Sequence, residues 1–300
     1  MTLFKPASKK QQKLRLLLEG ASGSGKTYSA LIIAQTLAEK LNKKIAFIDT
    51  EFGSASLYAD RFEFDTLELT PPFTPEKYIE AINTASRAED YGVLVIDSIS
   101  HEWSGQGGCL DIQSALGGTF NDWKKVTPRH QKFINSILEA NIHIIGCART
   151  KSDYVMEEGI NKNGKATTKP VKVGTKTEQR EGLEFEFTTI FRLNQNHVAS
   201  VSKDRTSLFE NEDAVITSDT GEKLFKWLNE GEEIPRENPI PQETPTNLDA
   251  DLDLLQGLYE TVSTKSAETY YKAHKEQVYN PERFKAEYAK HYSKLKKAGQ

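Results

Sequence analysis

The eight residues Gly20-Ala21-Ser22-Gly23-Ser24-Gly25-Lys26-Thr27 restrict what this chain can fold into more than any other stretch. They fit the pattern G-x-x-x-x-G-K-[ST]. Before them lies a short apolar run, Lys13-Leu14-Arg15-Leu16-Leu17-Leu18-Glu19; after them, in residues 28–41, Leu31, Ile32, Ile33, Leu37 and Leu41 recur at helical spacing. Strand, glycine-rich turn, helix is the order in which the pattern has a mechanism. Glycines let consecutive backbone N–H groups curl round phosphate oxygens, and the helix N-terminus adds the positive end of its dipole. Lys26 is then expected at the β- and γ-phosphates of a nucleotide and Thr27 on a magnesium ion, with Gly20, Ala21, Ser22, Gly23, Ser24, Gly25 and Tyr28 completing the cradle. ATP and Mg2+ are the expected cofactors.

The alternation continues down the chain. Lys44-Ile45-Ala46-Phe47-Ile48-Asp49, Val93-Leu94-Val95-Ile96-Asp97 and Ile142-His143-Ile144-Ile145-Gly146-Cys147 read as buried strands, and residues 75–88 and 128–140 as helices. Strands alternating with helices predict an α/β fold, a mostly parallel sheet covered on both faces. Residues 152–181, rich in Lys, Gly and Thr, show no clear period and predict a functional loop or a flexible hairpin with its tip at Asn161-Lys162-Asn163-Gly164-Lys165. Residues 185–193 and 198–202 read as strands and 221–228 as a closing helix. A core over 1–230, with a basic insertion at 150–182, is expected to precede an acidic, Pro-rich linker at 231–250 and a helical C-terminal unit at 251–300.

Composition narrows the function classes. Thirty-nine Lys and Arg against 43 Asp and Glu leave a net charge of -4, so any nucleic acid must meet a local patch rather than a basic chain. Two cysteines, Cys109 and Cys147, are too few for a zinc site built mainly from thiolates and predict a reducing compartment. The N-terminal residues lead into polar sequence, and no run of eighteen apolar residues occurs. A cytoplasmic protein without a membrane span is the expectation.

Three acids compete for the chemistry. Asp97 ends an apolar strand at the sheet edge where ligands of open α/β folds gather, and it is expected to hold Mg2+ together with Thr27. Ser98 rather than Glu follows it, so the base that activates water is sought elsewhere: Glu51, closing the second strand, or its rival Glu102. With Phe47-Ile48-Asp49-Thr50-Glu51 placed in this way, residues 13–230 resemble the RecA-like branch of P-loop ATPases. That resemblance implies a RecA-like core and a catalytic Glu51. It also implies that Lys203 and Arg205, in Lys203-Asp204-Arg205, form a finger reaching the nucleotide of a neighbouring subunit in a ring or filament. The polar sensor of the recombinases is replaced by Ala148-Arg149-Thr150-Lys151. The whole is most similar to bacteriophage-type ATP-binding proteins of the AAA/RecA-like family, associated with phage recombination and single-strand annealing; for a phage-encoded chain the compartment is the host cytoplasm.

The resemblance points two loops at single-stranded DNA. The first, at 98–108, offers Trp103 for base stacking, or as a buried anchor. The second offers Arg149, Lys151, Lys162, Lys165 and Lys169, then Lys172, Lys176 and Arg180, for backbone phosphates, or simply as a solvated charged insertion. The C-terminal unit is a candidate contact for a recombination or replication protein. Two other classes share the phosphate loop: a nucleotide-dependent adaptor or loader controlled by a protein partner, and a P-loop kinase acting on a small molecule.

Overall fold

The structure, a computed structural model, describes residues 8–160, 166–209, 213–231, 258–259, 261–275 and 281–297, with 154–160, 166–173, 281–283 and 297 as backbone alone. Two compact units divide the chain, Met1–Glu233 and Ile234–Gln300.

The first unit is built on β1 (Arg15–Gly20), α1 (Lys26–Leu41), β2 (Lys44–Asp49), β3 (Asp65–Glu68), α2 (Pro75–Arg87) and β4 (Tyr91–Asp97). Then come the short α3 (Ser100–Ser104) and α4 (Cys109–Ala115), followed by α5 (Trp123–Glu139), β5 (His143–Ile160) and β6 (Ala166–Thr177). The unit closes with β7 (Thr189–Leu193), β8 (Val198–Asp204), β9 (Ala214–Val215) and α6 (Ser218–Leu228). The strands form one sheet in the order β3-β2-β4-β5-β1-β7-β8-β9, with β6 paired to β5 alone. From β3 to β7 every pairing is parallel, and β8 and β9 add antiparallel at the far side.

Strand periodicity of two sorts the side chains between two cores. Leu16 and Leu18, Ile45 and Phe47, Val93 and Val95, and Ile145 and Cys147 turn to the face covered by α1 and α6. Leu17, Ala46 and Ile48, Leu94 and Ile96, and Ile144 and Ala148 turn to the face covered by α2 and α5. Both faces being buried explains why these strands read as unbroken apolar runs.

The departures from expectation have physical causes. β3 escaped notice because all four residues of this edge strand are exposed and carry no apolar pattern. Residues 185–193 do not form one strand: Leu183–Phe185 is a 3-10 turn entered through Gly182 at φ 97°, and pairing begins only at Thr189, whose partner is Asp204. α5 starts five residues before Pro128, at Trp123. Residues 152–181 fall largely in a ribbon: β5 runs on beyond the sheet, and β6 returns antiparallel to it, from Ile160↔Ala166 to Thr150↔Thr177. This is the hairpin of the two expected alternatives, with β6 paired to β5 alone. Its expected tip, 161–165, lies outside the described residues.

A buried cation closes the end of the sheet opposite the phosphate loop. Arg15, 6% exposed, donates to Leu14 O and Ile142 O at 2.8 Å, to Leu138 O at 3.0 Å and to Ala140 O at 2.5 Å. It thus satisfies carbonyls at the C-terminal end of α5, where the helix dipole favours positive charge. Burial pushes its pKa down to about 10, which leaves it charged at neutral pH.

The second unit holds α7 (Thr264–His274) and α8 (Pro281–Lys297). Ser263 caps α7, accepting from Ser266 N at 3.2 Å. Leu258 and Phe284 are buried, with Tyr270, Tyr271 and Tyr288 packed against them. The expected linker lies outside the described residues except for Gly231, and among the described residues no helix is long and apolar enough to cross a membrane.

His143 makes the fold sensitive to acid. Its Nδ1 accepts from Leu14 N–H at 3.0 Å, which requires the neutral ring, and burial, aided by the charges of Lys13 and Arg15, pushes its pKa down from 6.5 to about 3. Between those values the unfolded chain binds more protons than the folded one, so stability falls as pH drops through that window. His143→Asn keeps an acceptor for Leu14 and removes the titration. Urea unfolding between pH 6.5 and 4 is expected to show an acid limb shallower by up to one proton, about 1.4 kcal/mol per pH unit; an unchanged slope would assign the acid sensitivity to other groups.

Candidate functional site

Three glycines shape the loop between β1 and α1. Gly23 and Gly25 have φ of 80° and 89°, in the left-handed region. A Cβ on Gly20 would lie 2.3 Å from Ser24 Oγ and 2.8 Å from Leu193 O, so only glycine fits. Lys26, 8% exposed, donates from Nζ to Gly20 O at 3.1 Å and to Ala21 O at 2.9 Å. Ser24 Oγ is buried without a hydrogen-bond partner. A tight backbone cradle, an ammonium resting on loop carbonyls and an orphaned hydroxyl fit a polyphosphate. Ala21 and Ser22 lie on the exposed rim. Tyr28 packs on the neighbouring segment, its ring centroid 5.4 Å from Phe62 and 5.7 Å from Tyr58.

Thr27 Oγ1 donates to Asp97 Oδ2 at 2.6 Å. Asp97 is 3% exposed, and burial pushes its carboxyl up to about 6; Thr27 and Lys26 oppose the rise, while Glu51 and Asp49 add to it. A hydroxyl and a carboxylate side by side are hard oxygen donors of the kind Mg2+ takes. Asp49 is occupied otherwise: its Oδ1 accepts from Glu51 N at 2.6 Å and its Oδ2 from Ala55 N at 2.9 Å, ordering the turn after β2.

Sheet register collects these groups at one edge, with Gly20 opposite Arg149, Cys147 opposite Asp97, and Asp97 opposite Asp49. Glu51 stands on the same edge and is held by Arg149, whose Nε and Nη2 reach Oε1 at 2.9 Å and Oε2 at 2.5 Å. The bidentate contact raises the Arg149 pKa above its ordinary value. Glu102, the rival base, has no exposed surface and faces Cys109 and His130, so burial removes it from contact with water.

Residues 12–221 match the AAA domain family. The chain belongs to that family. Two solved structures are similar to it: a KaiC-like protein of the archaeon Pyrococcus horikoshii (18% identity, 66% of this chain and 82% of that one, TM-score 0.39) and the RadB recombinase (17% identity, 67% and 84%, TM-score 0.37). No curated protein matches the chain.

The remaining expected residues of this AAA-domain chain lie away from the loop edge, and Lys203 shares a cleft with Trp103, Lys151, Lys176 and Arg180. Lys203 and Arg205 lie at the end of β8, where Lys203 faces Ile190 in register while Leu193, at the other end of β7, faces Gly20. Lys203 is about 10 Å down the sheet from the loop edge at ~3.3 Å per residue, and Arg205, whose N–H donates to Thr188 O, is further. Lys203 Nζ donates to Glu184 O and Phe185 O at 2.8 Å, and Arg205 Nη2 to Phe185 O at 3.0 Å. A cleft of about 1360 Å3 opens beside α5, with Trp103, Lys151, Lys176 and Arg180 in its lining. Trp103 belongs to α3 rather than to a flexible glycine stretch, and it stacks on Trp123 with centroids 5.3 Å apart and planes 16° apart. Arg149 is committed to Glu51 instead. Lys162 and Lys165 lie outside the described residues, and Lys169 and Lys172 are placed only as backbone on β6.

Sequence reading missed the cleft's other aromatics, Trp123, Phe120 and Phe185, the last two 89% and 65% exposed. An aromatic outside any apolar period was the available signal. It also missed the β7–β8 turn, where Gln195 Nε2 donates to Ser22 O at 3.2 Å and a Cβ on Gly25 would lie 2.8 Å from His197 Nδ1.

Gly25→Ala therefore combines a left-handed backbone with a steric clash. The expected result is destabilisation of about 1–3 kcal/mol and loss of nucleotide binding, measured by thermal unfolding and fluorescent-nucleotide titration. Adding His197→Ala should recover part of both, because it removes the clash and leaves the backbone strain.

Proposed function

We propose that this chain is a Mg2+-dependent ATPase of the RecA-like type that binds single-stranded DNA, self-associates into a ring or filament, and acts in phage-type recombination, annealing or replication. One observation carries the reading: β5 bears Arg149, which holds Glu51 at the phosphate-loop edge, and the same strand runs on into the ribbon whose Lys151 and Lys176 line the aromatic cleft.

In this reading Lys26 and the loop N–H groups hold the phosphates, and Thr27 and Asp97 hold Mg2+, which supplies charge neutralisation. Glu51 accepts the proton of the attacking water once Arg149 has let it go. Strand movement caused by DNA on the ribbon is the release. Lys203 and Arg205 sit too far down the sheet to serve their own loop, so they act on the nucleotide of a neighbouring copy. Trp103 and Trp123 offer ring faces to bases, and Lys124, Lys151 and Arg180 offer charge to the backbone, against Glu181 and Glu184 in the same lining.

Phosphate release from ATP, with and without single-stranded DNA and at two salt concentrations, tests it. Turnover should rise with DNA, and the rise should weaken with salt. Lys26→Ala should abolish turnover. Glu51→Gln should leave nucleotide binding intact and slow turnover at least ~100-fold. Arg149→Ala should raise DNA-free turnover and shrink the stimulation. Phosphate appearing on an added acceptor, or turnover indifferent to DNA, would overturn the proposal in favour of a kinase or a partner-controlled switch. In a separate binding assay, Trp123→Ala should weaken single-stranded DNA affinity roughly tenfold, corresponding to 1–3 kcal/mol of lost stacking; unchanged affinity would move the DNA path off this cleft.

A further inference from the structure

Beneath the tryptophans lies a cluster that phosphate chemistry does not use. Glu102 of α3, Cys109 at the start of α4 and His130 in the middle of α5 are all buried, and each offers a ligand atom within 4.8 Å of the other two. Cys109 Sγ is 3.1 Å from Glu102 Oε1, and His130 Nδ1 is 3.1 Å from both carboxylate oxygens. The Gln179 side-chain nitrogen, held on Ile99 O at 2.9 Å, lies 3.4 Å from Glu102 Oε2. A carboxylate with no exposed surface thus has a thiol, an imidazole and a carboxamide for company.

The geometry points to a site for a zinc-type divalent transition metal, bound by Glu102, Cys109 and His130. Sulfur, nitrogen and oxygen in one set suit a borderline cation such as Zn2+ and not Mg2+. Around a tetrahedral zinc, ligand atoms stand ~3.5 Å apart; the two spacings to Glu102 are 3.1 Å, and Cys109 and His130 lie within 4.8 Å of each other. Water or the second Glu102 oxygen would take the fourth position.

Charge supports the same occupant. Glu102 carboxylate, Cys109 thiolate and neutral His130 carry two negative charges, which a dication cancels in a region where unpaired charge is costly. Without metal the thiol keeps its proton, because burial and the adjacent Glu102 push its pKa far up. Metal binding breaks the S–H bond, releases that proton to solvent and forms the metal–sulfur bond, with no change of oxidation state. The three ligands come from three helices, two of which carry Trp103 and Trp123. The metal is therefore a structural staple under the cleft, and it is independent of the nucleotide.

The full-length chain, stripped with chelator and titrated with Co2+ in the absence of nucleotide, provides the test. One equivalent should produce a thiolate-to-cobalt charge-transfer band and tetrahedral visible bands, and Zn2+ should displace both. Cys109→Ser should weaken Co2+ binding at least 100-fold and abolish the charge-transfer band, whereas Cys147→Ala should keep it. Absence of the band in the wild-type chain would overturn the site whether or not the variants fold. So would its survival in Cys109→Ser or its loss in Cys147→Ala, and the cluster would then be hydrogen-bonded without metal.

Discussion

β1 and β4 never touch, yet Thr27, just past β1, donates to Asp97, at the end of β4, across 2.6 Å. The constraint that makes this contact is the strand inserted between them. β5 pairs parallel with both, from Arg15↔Ile144 to Gly20↔Arg149 on one side and from Val93↔His143 to Asp97↔Cys147 on the other. Parallel pairing brings the C-terminal ends of β1 and β4 level with Cys147–Arg149 of β5, so the glycine-rich loop, Asp97 and Arg149 meet at one edge. Both long edges of β5 are used there, and its far end is anchored by His143 and by the carbonyls that Arg15 satisfies.

The electrostatics of that edge follow from its burial. Asp49, Glu51 and Asp97 converge there, and Asp97, 3% exposed, has its carboxyl pushed up first by burial and then by the other two acids. Lys26 and Arg149 are the opposing charges, one on loop carbonyls and the other on Glu51. Arg149 is also the last residue before the ribbon begins its own pairing at Thr150↔Thr177. One strand thus carries both the arginine held on Glu51 and the start of the ribbon.

A second polar centre lies one layer below, on the α5 side. Thr50 Oγ1 is 2.8 Å from both Ser98 N and His101 Nδ1, so the segment leaving β4 is tied to the segment leaving β2. From there α3 leads within one turn to Glu102 and Trp103, one residue turned into the interior and the other toward the cleft. The sheet edge that carries Asp97 and the aromatic lining are thus consecutive stretches of chain, tied by buried hydrogen bonds.

Local chemistry was legible in the amino-acid sequence because its determinants are close neighbours. Eight consecutive residues specify the phosphate loop, and unbroken apolar runs announce strands buried on both faces. Asp97 and Glu51 were readable as sheet-edge acids because each ends such a run. Pairings between distant residues were not readable. Glu51 and Arg149 stand 98 positions apart and meet only because β5 lies between β1 and β4, and the same strand order puts Lys203 and Arg205 away from their own loop. β3 left no signal because this edge strand buries none of its four residues, whereas the ribbon was legible only as the hairpin alternative, through its turn residues. Glu102 reads in sequence as a rival base to Glu51, whereas tertiary packing buries it and brings Cys109 and His130 onto it. Sequence determined the phosphate-binding loop and the α/β layering, which depend on spacing along the chain; the tertiary structure decided which charges pair, which aromatics line a cleft and which acid is buried, since these depend on strand order and helix packing.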